Sequence, residues 1–306
     1  MAKEKIKVSI IIPSWNTKDL LRNCLESLIR LDSPKNSLKF AIEIIVADNG
    51  STDGSVEEIK KEKLKMKNDK VKLKIILNKT NLGFGAANNQ GMKIAQGEYF
   101  LLLNSDTVVK NRAPLKMAEF MDKHPEVGAL GCKLLNSDGS LQPSAGPFPS
   151  LGVSLVMLFA EHWLGDLVRA SFTQTKEVDW VMGAAMMVRP EAVKKAGLMD
   201  EGIFMYMDEV EWCYRLKKAG YKVMFYPEAE IIHLGGGSSK TGRKDPILNI
   251  YRGLLYFYRK HYPLWQLSLL KIMLKLKAYG AIFSGWLTNQ NDLIQTYVEA
   301  LKISRN

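Results

Sequence analysis

The chemistry open to this sequence rests on two aspartates and a histidine that end apolar stretches, and on an acidic run that opens a helix. Asp48 closes the apolar run 42–47 and stands before Asn49-Gly50-Ser51-Thr52-Asp53-Gly54. A carboxylate at such a position can accept a hydrogen bond from an imide N–H, with Pro13, Trp15 and Asn16 lining the same edge. An Asp before Gly also forms turns and caps helices, a local reading that suits Asp53 better than Asp48. Asp106, in Asn104-Ser105-Asp106, follows the apolar run 99–103, where an exposed carboxylate can take a hard divalent cation; its alternative is an ordinary turn. His233 ends the run 229–233 just before Gly235-Gly236-Gly237. Its imidazole would suit Mn²⁺ better than Mg²⁺, although a lone histidine is more often satisfied within the fold. Asp208-Glu209-Val210-Glu211 opens a helical run, and acids there are favoured by the helix dipole without any catalytic duty.

Such residues need a scaffold that gathers strand ends. The run 7–12 is stopped by Pro13 and followed by helical periodicity over 20–31. The same order recurs at 42–47 with 56–65, at 71–77 with 86–95, and at 99–103 with 115–121. This alternation predicts an α/β fold with a mostly parallel central sheet flanked by helices. Ligands bind such sheets beyond the carboxyl ends of the strands, where the polar segments stand. After 127–133 a Gly, Pro and Ser-rich stretch, 136–150, breaks the alternation, and no regular element is assigned before 178. A short strand at 186–188, a helix over 208–219, short strands at 222–225 and 229–233, a glycine-rich loop and a helical tail complete the chain. Gly83-Phe84-Gly85 is followed by Ala86-Ala87-Asn88, so the third glycine of a dinucleotide-binding turn is missing.

The 306 residues suffice to bury a sizeable core. Cys24, Cys132 and Cys213 are odd in number and far apart, which argues against a disulfide framework or a cysteine-based zinc site and suits a reducing compartment. The first residues, Met-Ala-Lys-Glu-Lys-Ile-Lys, lack the apolar stretch of a secretory signal, and the uncharged apolar run 151–160 is half the ~20 residues of a spanning helix. The net charge of +11 admits nucleic acid, anionic lipid or a phosphorylated substrate. From Tyr251 onward, eight Lys or Arg stand against two acids in an apolar tail, which points to lipid headgroups rather than a nucleic-acid groove. Trp265, Trp286, Lys271 and Lys275 suit an amphipathic, membrane-associating tail over 246–306; the alternative is a helical hairpin packed on the preceding domain or on a second subunit.

Six strings occur in order: Val-Ser-Ile-Ile-Ile-Pro-Ser-Trp-Asn, Val-Ala-Asp-Asn-Gly-Ser-Thr-Asp-Gly-Ser, Asn-Leu-Gly-Phe-Gly-Ala-Ala-Asn-Asn-Gln-Gly, Leu-Leu-Leu-Asn-Ser-Asp, Asp-Trp-Val-Met-Gly-Ala-Ala-Met-Met-Val-Arg and Phe-Met-Tyr-Met-Asp-Glu-Val-Glu-Trp-Cys-Tyr-Arg-Leu. From about Val8 to the tail the chain resembles the family 2 glycosyltransferases, in particular their rhamnosyltransferase-like branch. The resemblance implies a GT-A fold over 1–245, with a nucleotide-binding half to about 135 and an acceptor half to 245, then a C-terminal helical extension.

What the resemblance implies for the site follows residue by residue. Pro13, Trp15, Asn16, Asp48, Asn81, Gly83, Asn104 and Ser105 would bind the nucleotide and donor, and Asp179, Trp180 and Gly183 would form the acceptor and donor floor. Asp106 takes the last place of the family's Asp-x-Asp motif; Asn104 replaces the first acid, leaving Asp106 as principal ligand of Mn²⁺ or Mg²⁺, with His233 completing the shell. Glu209, with Asp208 as the other candidate, would be the general base of an inverting transfer, here in an Asp-Glu order where the family usually has Glu-Asp. A loop at 238–244 carrying Lys240, Arg243 and Lys244 could close over a diphosphate, or be a solvated linker.

The reaction implied moves a sugar from a nucleotide-sugar donor, dTDP-rhamnose first, to a lipid-linked or saccharide acceptor in cell-surface glycan synthesis. The expected location is cytoplasmic and peripheral on the inner face of the cell membrane, with homo-oligomerisation open and no nucleic acid bound. A catalytically silent nucleotide-sugar-binding or scaffold protein is the competing reading, motivated by the altered metal and base motifs.

Overall fold

A computed structural model of the chain describes residues 5–31, 41–65, 70–235 and 244–305. The first half is built of strand and helix in alternation: β1 (Ile6–Ser14), α1 (Lys18–Ile29), β2 (Ala41–Asp48), α2 (Ser55–Lys65), β3 (Val71–Leu77), α3 (Phe84–Ile94), β4 (Tyr99–Leu103), β5 (Thr107–Val109), α4 (Ala113–Lys123) and β6 (Val127–Leu135). Then come β7 (Leu141–Gln142), β8 (Ala145–Gly146), α5 (Leu151–Phe159), α6 (Glu161–Leu164), β9 (Lys176–Glu177), β10 (Trp180–Val181), β11 (Ala185–Val188), α7 (Pro190–Ala196), α8 (Asp208–Lys218) and β12 (Lys222–His233). Three helices close the chain: α9 (Lys244–His261), α10 (Leu264–Leu287) and α11 (Asn291–Arg305).

The main sheet runs β3-β2-β1-β4-β11-β6-β12-β5. Strands β3, β2, β1 and β4 are parallel neighbours, whereas β11 enters antiparallel between β4 and β6. Every residue of β2 is buried, as a near-continuous apolar run in a sheet covered on both faces requires. β3 lies at the edge, where Lys72 and Lys74 interrupt its apolar residues and discourage a further strand from adding.

Alternation along β1 separates two cores: Ile10 and Ile12 join one and Ile11 the other. The first lies against Leu21 and Leu25 of α1, Ile59 of α2 and Met117 of α4. The second includes Met92 of α3, Trp212 of α8 and, from the C-terminal helices, Leu254, Phe257, Leu270 and Ala300. The three cysteines are buried free thiols, and burial pushes each of them up to about 12.

Two details differ from the sequence expectation. The strands expected at 222–225 and 229–233 form one strand, β12, whose pairing with β6 shifts register between Tyr226 and Glu230, around Pro227, which has no N–H to donate. The unassigned stretch before 178 holds two-residue strands, with β7 on β6 and β8 on β10, too short to carry a period. Among the described residues no helix is long and apolar enough to cross a membrane.

Candidate functional site

At the end of β2, Asp48 is 2 % exposed. Its Oδ2 accepts the backbone N–H groups of Gly50 (3.1 Å) and Ser51 (3.0 Å), so the loop folds around its own carboxylate. Among the described residues its Oδ1 has no hydrogen-bond partner. A buried acceptor left open in this way suits an N–H from outside the chain. Pro13 and Ser14 pair with Ala47 and Asp48 across β1 and β2, which brings Trp15 and Asn16 beside this loop. Asn16, at φ 53°, accepts the Thr52 N–H at 2.8 Å, and its own N–H donates to Ser51 Oγ at 2.9 Å.

Asp53 binds both flanking helices: Oδ2 accepts the Lys18 N–H at 2.9 Å and Oδ1 the Ser55 N–H at 3.0 Å. Burial opposes its ionisation, but these bonds hold its carboxyl below the usual range. This is the local capping role.

Asn81 accepts the Gly83 N–H (3.0 Å) and Asn49 Nδ2 (3.2 Å), which shapes the turn into α3. Gly83 sits at φ +89°, and a Cβ there would lie 2.5 Å from the Phe204 carbonyl oxygen, so only glycine lets this turn meet the segment that precedes α8. Phe84 N–H donates to that carbonyl at 3.0 Å. Asn89 extends the tie, donating to Met199 O at 2.9 Å and accepting Met199 N–H at 3.0 Å.

The turn after β4 holds Asn104, Ser105 and Asp106. Ser105 Oγ accepts a hydrogen bond from Thr17 at 2.9 Å, which joins this turn to the start of α1. Asp106 is 7 % exposed, and its Oδ1 lies 3.3 Å from His233 Nε2, because β5 and β12 pair antiparallel with His233 opposite Thr107. Gln142 fixes the ring. Its Nε2 donates to Asn136 Oδ1 (2.9 Å) and His233 O (3.3 Å), so its Oε1 accepts the proton on His233 Nδ1 at 2.7 Å. Nε2 then faces Asp106 and the Asn104 amide, 3.2 Å away.

A carboxylate oxygen and an imidazole nitrogen this far apart fit adjacent positions on one small cation, whose neighbouring ligands stand about 3 Å apart. The donor set, hard oxygen plus one imidazole, favours Mn²⁺. Among the described residues no group of three or more His, Cys, Asp or Glu gathers to hold a metal.

Asp208 and Glu209 open α8, behind two consecutive left-handed non-glycine residues, Tyr206 (φ 63°) and Met207 (φ 70°). Asp208 is 2 % exposed and its Oδ2 has no partner among the described residues. Burial, and then the neighbouring Glu209 carboxylate, raise the Asp208 pKa well above the usual carboxylate range. Glu209 is half-buried beside Gly183, where a Cβ would come 3.6 Å from Glu209 Cβ and 3.0 Å from the Phe84 ring. The Ala184 carbonyl in turn accepts the Asn104 N–H at 2.9 Å. The ends of β4 and the starts of β11, α3 and α8 therefore meet. Burial pushes the Tyr206 phenol up, and the carboxylates of Glu209, Asp245 and Asp106 push it further.

Asp179 and Trp180 are tied to neighbouring elements. Asp179 accepts the Phe148 N–H at 3.0 Å and pairs with Lys217 at 2.8 Å, while Trp180 Nε1 donates to Pro147 O at 2.8 Å. Lys244 starts α9 and pairs with Glu299 at 2.7 Å; the loop carrying Lys240 and Arg243 lies outside the described residues. Sequence reasoning missed Gln142 and Tyr206. Gln142 lies in the stretch that carries no period, whereas Tyr206 stood in the last of the six ordered strings and could have been found there.

Residues 9–195 match the family model for glycosyl transferase family 2. The N-acetylglucosaminyl-diphospho-decaprenol L-rhamnosyltransferase of Mycobacterium tuberculosis is 29 % identical over 227 residues, which cover 67 % of this chain and 69 % of that protein. Among solved structures, the mannosyltransferase PcManGT from Pyrobaculum calidifontis, in complex with GDP-Man and Mn²⁺, matches 98 % of this chain and 86 % of its own, with TM-score 0.58 and 16 % identity. S. aureus TarS 1-349 in complex with UDP-GlcNAc matches 98 % of this chain and 92 % of its own, with TM-score 0.54 and 16 % identity. These likenesses show a shared GT-A fold, as expected from the sequence. By the family match, and with a rhamnosyltransferase among its relatives, the chain belongs to glycosyl transferase family 2 and to its rhamnosyltransferase-like branch.

Proposed function

We propose that the chain catalyses inverting transfer of a sugar, rhamnose from dTDP-rhamnose first, to a lipid-linked acceptor at the inner surface of a membrane. The M. tuberculosis rhamnosyltransferase, named for a diphospho-decaprenol acceptor, supports both the donor and the acceptor class. Asp48 Oδ1 would accept the imide N–H of thymine or uracil, which its unpartnered position suits. Asp106 and His233 would hold Mn²⁺ or Mg²⁺, which when bound neutralises the diphosphate leaving group.

Glu209 is the base in this reading. Asp208 is buried and its carboxyl is held well above the usual range by that burial and by its neighbour, whereas the half-buried Glu209 is the member an acceptor hydroxyl can reach. Glu209 takes the hydroxyl proton as that oxygen forms its bond to the anomeric carbon. The bond from that carbon to the diphosphate breaks on the opposite face, and configuration inverts.

One observation supports the reading: the Asn104 N–H donates to the Ala184 carbonyl at 2.9 Å while neighbouring Gly183 stands against Glu209, so the turn that carries Asp106 lies beside the start of α8. Asn104, standing where the family has an acid, favours the silent nucleotide-sugar-binding alternative, and release of nucleoside diphosphate with Mn²⁺ separates the two. Asp106→Ala and Glu209→Gln should each lower transfer by about 100-fold or more while circular dichroism stays native. Normal transfer rates in both variants would refute the mechanism.

A further inference from the structure

Helix α10 is two-sided in an unusual sense: one face is core and the opposite face is apolar but bare. Leu267, Leu270, Leu274 and Ala278 are buried among the C-terminal helices. On the other side Trp265, Leu269, Ile272, Leu276, Tyr279 and Phe283 repeat at alternating spacings of four and three, and all are exposed. Trp286, 70 % exposed, extends the stripe by a further turn. Exposed apolar patches of this extent mark a surface that meets something else.

Charge decides what that is. α10 has no acidic residue; Lys271 and Lys275 flank the stripe on one side and Lys277 on the other. Both acids of the chain beyond Tyr251, Asp292 and Glu299, stand on α11, and Glu299 is paired with Lys244. The spacing would also serve a coiled-coil seam, but two copies of α10 would then set lysines against lysines with no carboxylate between them, where such seams carry opposite charges at their flanks. Anionic headgroups complement the lysines, and Trp and Tyr favour the zone between headgroup and acyl chain.

A second group of exposed apolar residues belongs to helices packed nearby. α5 packs against α10 and is anchored to α9 by the Ser154–Tyr258 hydroxyl pair at 3.0 Å. Next to it Phe159, Trp163 (76 % exposed), Leu164 and Leu167 are bare, although Glu161 and Asp166 stand among them. Two helices thus offer apolar side chains beside one another, as a helix pair lying on a surface would need.

We propose that the outward face of α10, continued by α5 and α6, seats the protein on a bilayer rich in anionic lipid. This deepens the membrane part of the function proposed above and rests on it. The helix lies along the surface; its buried face is taken by protein.

The test is co-sedimentation of the full chain with phosphatidylcholine vesicles made with and without phosphatidylglycerol. Wild type should sediment with the anionic vesicles, Leu276→Glu/Phe283→Glu should bind about tenfold less or worse, and Lys271→Gln/Lys275→Gln several-fold less on anionic vesicles alone. Thermal melts and nucleoside diphosphate release from donor should stay at wild-type levels in both variants, because these side chains are exposed. Unchanged vesicle binding in the glutamate variant would overturn the assignment of this face. Failure of wild type to bind anionic vesicles would overturn the membrane reading itself. A wild-type dimer in solution that the glutamate variant splits into monomers would identify a subunit interface instead, overturning the proposal. None of these results depends on whether sugar is transferred.

Discussion

Asp48 and Asp208 are equally buried, each 2 % exposed, yet the fold treats the two carboxylates differently. Asp48 receives two backbone N–H groups from the loop it begins, within three residues of itself. Asp208 stands behind two left-handed residues, next to a second carboxylate, and its pKa is driven up. The first arrangement is local and would form wherever that strand-to-helix connection forms. The second persists because distant elements hold it. Gly83 of the α3 turn admits the Phe204 carbonyl, and Gly253 of α9 leaves room for Met207, to whose Cβ a Cβ at 253 would come within 2.8 Å.

The same helix reaches α8 through Lys260 and His261, which pair with Glu211 at 2.9 and 3.0 Å, and Lys260 also pairs with Asp200. Left-handed non-glycine residues cost of order 1–2 kcal/mol each, so a strained turn needs such support. The Asp48 carboxylate is thus held by its own neighbours in sequence, and the turn before Asp208 by the C-terminal helices.

The largest effect that would sharpen this contrast should come from Gly253→Ala. Its methyl group would press on Met207 Cβ and the Tyr206 carbonyl, destabilising the chain by about 1–3 kcal/mol. It should also lower kcat by about tenfold or more, through displacement of Glu209, with the donor KM unchanged. Steady-state kinetics with varied donor reads both constants; a rise in donor KM at constant kcat would break the division between the two sides.

Asp208→Asn should act in the opposite direction on stability. Folding raises this pKa, so above about pH 4 the folded chain binds more protons than the unfolded one, and stability falls as pH rises from there until the folded carboxyl ionises. Removing the acid should raise Tm at pH 7 and leave it unchanged near pH 3. Calorimetry at the two pH values checks the sign. The smallest effect belongs to Asp53→Ala, which removes caps from α1 and α2 at a cost of about 1 kcal/mol and should leave kcat within twofold of wild type. A large loss of kcat there would show that the nucleotide side also depends on more than local bonds.

Much of the first half was legible before any coordinates. The β-branched runs at residues 7–12 and 42–47, each followed by helical periodicity, give β1–α1 and β2–α2 because burial on both faces forces apolar continuity on a parallel strand. Less was legible after residue 136. There β7, β8, β9 and β10 are two residues long, and their pairing partners lie up to 49 positions away, as Lys176 and Phe225 show. Pattern cannot announce a pairing whose strands hold only one period.

Residue type and spacing were enough to single out the groups able to do chemistry: Asp48, Asp106, the 208–209 pair and His233, each at the end of a strand or the start of a helix. Their surroundings came from packing. It set Gln142 behind His233 and so fixed which nitrogen faces Asp106; it turned Asp179 and Trp180 toward Lys217 and Pro147; and it brought α9 against the turn before Asp208. Local spacing specifies a side chain's position along its own element, whereas its protonation, partners and strain depend on atoms that reach it only when remote segments pack.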